Sequence, residues 1–295
     1  MKEPIKTLEA VAECLPYGIK RAIEEIKNRE EIEEIRLRAD KPLCFTVRGE
    51  SFFKEDITVR KEDIAYCVKR FCNESVYAHI KELNSGYIAG PCGSRIGVAG
   101  NFGGENAVHF SCLNIRIAHE IIGAADRLVK AYKGGGILIL GPPACGKTTV
   151  LRDAVRQLSD GISGKSYRVS VIDSRGEITG GESGGMNIGK NTDVFLFCEK
   201  ARGIEMALRT FSPEIICFDE IGTSKELCGV KQSINAGADI IATAHAGSLE
   251  DLKKRQILRE FMLTGAVKTV VFMESRSLLN AEFIDSEELR RCRFY

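Results

Sequence analysis

The sequence predicts an α/β protein in which a domain built on a parallel sheet follows a smaller α+β domain. From Ile121 onward, short apolar runs alternate with helical segments, the pattern of a parallel sheet covered by helices on both faces. Before that point, short helices mix with strands whose polar and apolar residues alternate, which indicates a separate small domain. We therefore expect domains at residues 1–117 and 118–295.

The first domain is predicted from the periodicity of its apolar residues. They recur at helical spacing over residues 4–30 and over residues 61–81. A polar hairpin is expected near residues 48–50. Strands are predicted at 32–38, at 43–48, within the glycine-rich segment 85–102, and at 114–117.

The second domain opens with a helix from Ile121 that three glycines, 134–136, stop. The strands predicted after it are 137–140, 168–173, 214–219, 239–243, 267–273 and 278–284. The predicted helices are 147–158, 200–211, 226–236 and 250–263. Because ligands of such sheets bind at the carboxyl ends of the strands, functional residues are expected there.

A phosphate-binding loop is predicted at the end of the first of these strands. Residues 137–149 read ILILGPPACGKTT, which gives the pattern G-x-x-x-x-G-K-[ST] between a strand and a helix. Glycine has no Cβ, so Gly141 and Gly146 allow the backbone to wrap phosphates closely. The amides of residues 144–148 and the helix N-terminus then favour bound phosphate. The predicted nucleotide-binding residues are Gly141, Pro142, Pro143, Ala144, Cys145, Gly146, Lys147, Thr148 and Thr149.

A second motif predicts the groups that complete this chemistry. Lys147 is expected to reach the β- and γ-phosphates of ATP, and the Thr148 hydroxyl to bind Mg²⁺. Residues 214–220 read EIICFDE, an apolar strand with Asp219 at its tip, placed to hold the Mg²⁺ through water. Glu220 can orient and deprotonate the attacking water. The alternative interpretation of the two acids is a solvated strand end.

Two further strand ends carry polar groups. The segment VIDSRGE (171–177) places Arg175 and Glu177 in the loop after Asp173. The segment IIATAHAG (240–247) ends its strand at His245, which can sense the γ-phosphate from beside the acidic strand. A hydrogen-bonded loop histidine is the simpler alternative.

Composition and charge restrict the function classes. A formal net charge of +1 implies no general attraction to nucleic acid or to membranes. Eleven cysteines without a C-x-x-C pair indicate free thiols in a reducing compartment, and neither a disulfide framework nor a metal cluster. No stretch approaches the ~20 apolar residues that cross a bilayer. The first residues, MKEPIKTLEAVAECL, carry acids where a secretory signal is apolar. We expect a cytoplasmic protein that reaches the membrane only through a partner.

The order of these motifs resembles the ring-forming ATPases of bacterial type II and type IV secretion and of type IV pili. That family carries an acidic box with a glutamate between its two nucleotide motifs and a histidine box after the second, and Glu177 and His245 match these positions. The phrases EIRLRADKPL, GSRIGVAGNF and SCLNIRIAHEIIGAAD also resemble a family of endospore-formation proteins. The chain departs from the secretion ATPases at Asp219, where glycine is frequent, and lacks their tetracysteine metal element.

The resemblance implies a RecA-like P-loop ATPase domain in a homo-oligomer, a hexamer, that docks on a membrane protein of the sporulation channel. It also implies that each nucleotide lies between the two domains and that N-terminal arginines reach its γ-phosphate. Arg95 and Arg116 are the candidates, with Arg36 and Arg38 less favoured; the alternative for each is a surface or salt-bridged arginine.

A contact between subunits is a further implication of the resemblance. Arg209 and Glu226 are secondary candidates for lining it.

The expected function is an ATPase that converts ATP and water to ADP and phosphate and turns domain closure into mechanical work. Following the sporulation resemblance, it would drive a secretion-like channel between mother cell and forespore. One alternative is a nucleic-acid-binding P-loop motor, which near-neutral charge and sparse basic–aromatic interleaving disfavour. Another is an assembly scaffold that binds ATP with little turnover.

Overall fold

The computed structural model describes residues 5–101, 109–181, 185–274 and 278–291. Its chain packs into two compact units, and each is described by itself. The N-terminal unit comprises residues 1–120 with 180–186, and the C-terminal unit comprises residues 121–179 with 187–295. Residues 4 and 102, at the ends of two predicted segments, lie outside the described residues.

The N-terminal unit is a six-stranded antiparallel sheet with helices, in the strand order β3-β2-β1-β6-β5-β4. Its strands are β1 (Ile32–Arg38), β2 (Lys41–Val47), β3 (Glu50–Val59), β4 (Tyr87–Ala89), β5 (Arg95–Asn101) and β6 (His109–Arg116). Its α-helices are α1 (Ile5–Ala12), α2 (Tyr17–Glu24), α3 (Lys61–Phe71) and α4 (Ile80–Asn84), with 3₁₀ turns at Arg29–Glu31, Val76–His79 and Pro91–Gly93. Fully buried Ile35, Phe45 and Ile115 lie in its core.

Two predictions for this unit need correction, and one strand was not predicted. The helix predicted over 61–81 ends at Phe71, because Asn73 and Glu74 adopt left-handed backbone angles that a helix cannot continue through. The hairpin predicted near residues 48–50 is present, since Val47 of β2 is opposite Glu50 of β3. The strand β3 itself was not predicted, because it is mostly exposed and lacks the alternation of a half-buried strand. The last strand, β6, is also longer than predicted, since it begins at His109.

The C-terminal unit is a seven-stranded sheet in the order β13-β12-β7-β11-β10-β8-β9. Its strands are β7 (Ile137–Gly141), β8 (Val169–Asp173), β9 (Thr192–Leu196), β10 (Ile215–Phe218), β11 (Asp239–His245), β12 (Thr269–Phe272) and β13 (Glu282–Asp285). Its α-helices are α5 (Asp126–Ala131), α6 (Lys147–Asp160), α7 (Lys200–Thr210), α8 (Ser224–Asn235), α9 (Leu249–Lys254), α10 (Gln256–Leu263) and α11 (Ser286–Arg291), with a 3₁₀ turn at Leu278–Asn280.

The central strand β7 shows how this sheet is covered on both faces. Leu138 and Leu140 pack into one core with residues of α7, α8 and α10, while Ile137 and Ile139 pack into a second core with residues of α5 and α6. Alternate side chains of a strand point to opposite faces, so both faces of β7 are buried. The predicted α/β class is confirmed.

The sheet differs from the prediction at its two edges. All described strand pairs are parallel except β12–β13, where the chain returns antiparallel, so the sheet is mixed. The strand β9 was not predicted, because it is only half-buried and lacks the apolar run of an interior strand. The helix predicted over 250–263 is two helices, since Arg255 is extended. The terminal helix α11 was also not predicted.

Every cysteine among the described residues is a free thiol. Burial raises the pKa of Cys67 and of Cys217 far above that of an exposed thiol, and burial together with the charge of Glu82 raises the pKa of Cys72 to about 11. These side chains therefore stay protonated at neutral pH and act as apolar packing residues. Across the described residues, no helix is both long and apolar enough to cross a membrane.

Candidate nucleotide-binding site

The order of strands brings the predicted motifs to one edge of the sheet. β11 lies between β7 and β10, and β8 lies on the other side of β10. In register, His245 of β11 is opposite Gly141 of β7, and Phe218 of β10 is opposite both Ala242 and Ile172. The residues that follow these parallel strands therefore emerge side by side.

The loop after β7 has the backbone shape of a phosphate cradle. Ala144 (φ 60°) and Gly146 (φ 93°) both adopt left-handed angles, and the helix α6 begins directly after them at Lys147. A Cβ on Gly141 would lie 2.5 Å from the Met273 carbonyl oxygen, so glycine is required there by close approach. The side chain of Cys145 packs into the core beneath the loop. Amides at the start of α6 have no partner within that helix and are available to an anion.

The lysine of the motif lies against the loop. Lys147 is 6% exposed, and its Nζ donates hydrogen bonds to the carbonyl oxygens of Gly141 (3.0 Å) and Pro142 (2.7 Å). It also lies 3.1 Å from Nδ1 of His245. An ammonium group can only donate, so Nδ1 is the acceptor and the imidazole proton is on Nε2. That Nε2 lies 3.5 Å from Oε1 of Glu220, and His245 thus connects the lysine with the acid.

A threonine and an aspartate form the second part of the site. The Thr148 hydroxyl donates to Oδ2 of Asp219 at 2.7 Å, and the Thr243 hydroxyl donates to the other carboxylate oxygen. These hydroxyl and carboxylate oxygens are hard ligands of the kind that Mg²⁺ prefers. The structure therefore brings the two predicted Mg²⁺ residues together, although they are far apart in sequence.

Glu220 follows Asp219 with an unusual backbone. Its φ is 55°, in the left-handed region, and its N–H donates to the Thr243 hydroxyl at 2.9 Å. The carboxylate is 3.3 Å from Nη1 of Arg175, and the side chain is 39% exposed. Glu220 lines a pocket together with Ile172, Asp173, Ser174, Arg175, Glu177, Lys200 and Asp219.

Asp173 organises the loop that carries Glu177. Its carboxylate is buried and accepts hydrogen bonds from the amides of Glu177, Ile178 and Thr179 at 2.9–3.0 Å and from the Thr179 hydroxyl at 2.9 Å. Arg152 donates to the carbonyl oxygens of Ile178 and Glu177. The loop is thus held at both its amides and its carbonyls, and Glu177 is presented to the pocket.

We expect Asp173→Asn to destabilise the C-terminal unit. Asparagine has one acceptor oxygen, so it would turn an NH₂ group toward N–H donors and leave buried amides unpaired. A loss of about 2–3 kcal/mol is expected, equivalent to a melting temperature about 4–12 °C lower for a unit of this size. Thermal unfolding of the variant beside Asp56→Asn, whose side chain is exposed on β3, measures it. Equal melting temperatures for the two variants would contradict the role given to Asp173.

The predicted arginines lie in the N-terminal unit. Arg95 of β5 and Arg116 of β6 are opposite each other in register. The Arg95 guanidinium lies over the Tyr87 ring (4.7 Å), while Arg116 contacts Glu34 at 3.2 Å. Burial alone would raise the pKa of Glu34, but the hydrogen bond and charge of Arg36 and the charge of Arg116 lower it. Contact of Arg95 or Arg116 with a γ-phosphate stays a prediction.

The two secondary candidates for a subunit contact differ. Arg209 is exposed on α7 and pairs with Glu205 at 3.0 Å. Glu226 is buried and caps α8, with its carboxylate accepting from the amides of Gly222 and Thr223. The Glu226 carboxylate is thus used inside the unit, and a contact of Arg209 or Glu226 with another subunit stays a prediction.

Two residues of the site were not predicted from the sequence. The Thr243 hydroxyl donates to the Asp219 carboxylate and accepts the N–H of Glu220. The sequence feature that could have indicated Thr243 is its position near the end of a buried strand. Lys200 donates to the carbonyl oxygen of Glu220 from the first turn of α7, and nothing in its local sequence marks it.

Comparison with known proteins decides the family. The chain matches, over residues 6–281, the family model described as "Sporulation stage III, protein AA". The chain belongs to this sporulation family. A relative named "Stage III sporulation protein AA", from Bacillus subtilis (strain 168), is 34% identical over 265 residues, which are 85% of this chain and 86% of the relative. The resemblance drawn from the N-terminal phrases and motifs is confirmed.

Solved structures similar to this chain include a bacterial ATPase and a pilus retraction motor. The ATPase DotB of Legionella pneumophila has a TM-score of 0.60 at 14% identity, covering 92% of this chain and 80% of its own. The pilus retraction motor PilT, solved with bound ADP, has a TM-score of 0.60 at 17% identity, covering 86% and 76%. At these identities the likeness shows the fold, a RecA-like P-loop domain with a preceding N-terminal domain.

Proposed function

We propose that this chain binds ATP with Mg²⁺ and hydrolyses it to ADP and phosphate. The observation that carries the proposal is the convergence of Lys147, the Thr148–Asp219 pair and Glu220 at one edge of the sheet, beside a loop with the shape of a phosphate cradle. Of the neighbours with the same fold, DotB is named as an ATPase and PilT as a motor with bound ADP, which supports the proposal. A solvated strand end would not explain two acids held by Thr148, Thr243 and His245.

The residues of the site fit a triphosphate and its metal. The Gly141–Thr149 segment offers amides at the start of α6, and Lys147 provides an ammonium for the β- and γ-phosphates. Thr148 and Asp219 would hold Mg²⁺, which neutralises phosphate charge when it is bound. The Thr148 hydroxyl already lies 2.7 Å from the Asp219 carboxylate, so the two oxygens are adjacent.

Glu220 is the proposed general base. Its carboxylate would accept the proton of the attacking water, since its side chain lines the pocket and is partly exposed. His245, with its proton on Nε2, orients the Glu220 carboxylate and senses the position of Lys147. Glu177 lines the same pocket and is the proposed acidic-box residue, and Arg95 and Arg116 are proposed to complete the site at the γ-phosphate.

The biological role follows from the family. We propose a homohexamer that acts as the motor of a secretion-like channel between mother cell and forespore, and that docks on a membrane protein of that channel. The chain would work in the cytoplasm, peripheral to the membrane through this partner. Nucleic acid is not expected as its substrate, because the net charge is close to zero.

Phosphate release by the purified full chain tests this proposal. Turnover that requires both ATP and Mg²⁺, and that rises when membranes containing the channel proteins are added, is expected. Binding of MgATP without turnover under both conditions would replace the motor by an ATP-binding scaffold. Failure to bind MgATP would overturn the proposal, and turnover that rises only with single-stranded DNA would favour a nucleic-acid motor.

A further inference from the structure

The backbone of Glu220 needs an explanation that its side chain does not give. A φ of 55° is in a region that residues with a Cβ rarely adopt, and such angles persist only where the surroundings hold them. The direction of the Glu220 carboxylate depends on this angle. Whatever fixes the angle therefore also fixes where the carboxylate lies.

Two of the groups that hold this segment come from β11. The Thr243 hydroxyl accepts the N–H of Glu220 at 2.9 Å, and the Thr243 carbonyl oxygen accepts the N–H of Ile221 at 2.9 Å. Both contacts act on amides. The carbonyl oxygen of Glu220 is bound from another element, because Nζ of Lys200 donates to it from the first residue of α7.

Lys200 is itself fixed by a second contact. Its Nζ lies 3.4 Å from Oε1 of Glu226, and the side chains of the pair are only 15% and 11% exposed. The other oxygen of Glu226 accepts the amides of Gly222 (2.7 Å) and Thr223 (3.0 Å). One shielded ion pair thus holds the chain on both sides of the turn, at the carbonyl of Glu220 and at the two amides beyond Ile221.

A nearby lysine–glutamate pair shows what an ordinary ion pair looks like here. Lys225 and Glu199 are 3.5 Å apart, but their side chains are 77% and 60% exposed. An exposed pair of this kind contributes little. Lys200 also lines the pocket beside Glu220, whereas Lys225 is not among the described residues that line this pocket.

We propose that Lys200 is a positioning residue for ATP hydrolysis, which holds the main chain of Glu220 in its left-handed conformation and so aims the carboxylate at the pocket. The inference rests on the proposed role of Glu220 as general base. Lys200 acts through the Glu220 carbonyl, whereas Lys147 is the lysine placed at the phosphates. Its loss should therefore lower kcat and leave nucleotide affinity nearly unchanged.

The test compares Lys200→Met with Lys225→Met in the full chain. Lys200→Met is expected to lower kcat about 10- to 100-fold, as misplacement of a reacting group does, while the KM for MgATP stays within about threefold and Lys225→Met behaves as wild type. In a Glu220→Gln background, Lys200→Met should add little further loss, because residues that act as a unit are not additive. Lys200→Arg, which keeps a donor, should restore part of the rate.

A second readout needs no turnover. Hydrogen exchange at the amides of residues 220–223 should be at least about tenfold faster in Lys200→Met than in wild type, since the segment loses one of its holding contacts. Should Lys200→Met fail to fold, Lys200→Met/Glu226→Gln removes both buried charges and is expected to show the same loss of kcat.

The outcomes separate this inference from the proposed function. No turnover by the wild-type chain, with or without membranes, overturns the hydrolysis on which the inference rests. Wild-type turnover with an unchanged kcat in Lys200→Met overturns the role of Lys200 alone. A raised KM at constant kcat would assign Lys200 to nucleotide binding, and unchanged exchange at 220–223 would also overturn the positioning role.

Discussion

Lys147→Ala is expected to reduce MgATP turnover at least about 100-fold, the scale on which removal of a charged stabilising group acts, and to weaken MgATP binding. The ammonium is held by the carbonyl oxygens of Gly141 and Pro142, so it is already fixed in the loop that would receive the phosphates. Alanine removes the positive charge, so that only the loop amides remain to bind the phosphates. Phosphate release and titration with a fluorescent ATP analogue measure the two effects.

Lys254→Ala is the matched control for this variant. Lys254 is an exposed lysine at the end of α9, and its loss should change neither binding nor turnover. If Lys147→Ala bound MgATP as tightly as Lys254→Ala, the phosphates would have to be bound elsewhere.

Glu220→Gln should separate binding from hydrolysis. Glutamine has nearly the same shape but cannot take the proton of a water molecule, so kcat should fall about 10²- to 10⁴-fold, the contribution of a general base. Binding should persist, because Lys147, Thr148 and Asp219 are unchanged. Single-turnover assays should find ATP, rather than ADP, on the protein after mixing.

The control here is Glu250→Gln, an exposed glutamate in the first turn of α9. It should leave kcat unchanged. A kcat for Glu220→Gln within twofold of this control would remove Glu220 from the base role, and Glu177, which lines the same pocket, would become the next carboxylate to test.

The sequence alone was informative where the site is contiguous or follows a strand. The loop at 141–149 is one unbroken motif, and its glycines carry the information: Gly146 adopts a left-handed angle, and Gly141 is closely approached by the Met273 carbonyl oxygen. The approach of Thr148 to Asp219 could also be predicted, since both residues follow parallel strands of one sheet. The same reasoning placed His245 beside Glu220.

Contacts that depend on the path of a loop could not be predicted. Asp173 was recognised only as a strand end, yet its carboxylate holds three amides that follow it. Lys200 reaches the carbonyl oxygen of Glu220 only because α7 packs beside the turn after β10. No motif in the sequence around Lys200 indicates this contact. The capping role of Glu226 was not predicted either, although Thr223 and Glu226 have the T-x-x-E spacing of a capping box.

Edges of the sheet were also harder to predict than its centre. The interior strand β7 is apolar throughout, whereas β9 mixes polar and apolar residues and is only half-buried. The direction of β13 cannot be derived from composition, because an antiparallel return needs only a short connection and leaves no periodic signal. The prediction therefore held for the strands that carry the site and failed at the margins.

The most direct test of the account is a structure of the full chain with Mg²⁺ and a non-hydrolysable ATP analogue. We expect its phosphates at the amides of residues 144–148, the Lys147 ammonium on phosphate oxygens, and Mg²⁺ beside Thr148 and Asp219. A structure in which Lys147 still donates to Gly141 and Pro142 while the analogue binds away from this loop would contradict the central claim.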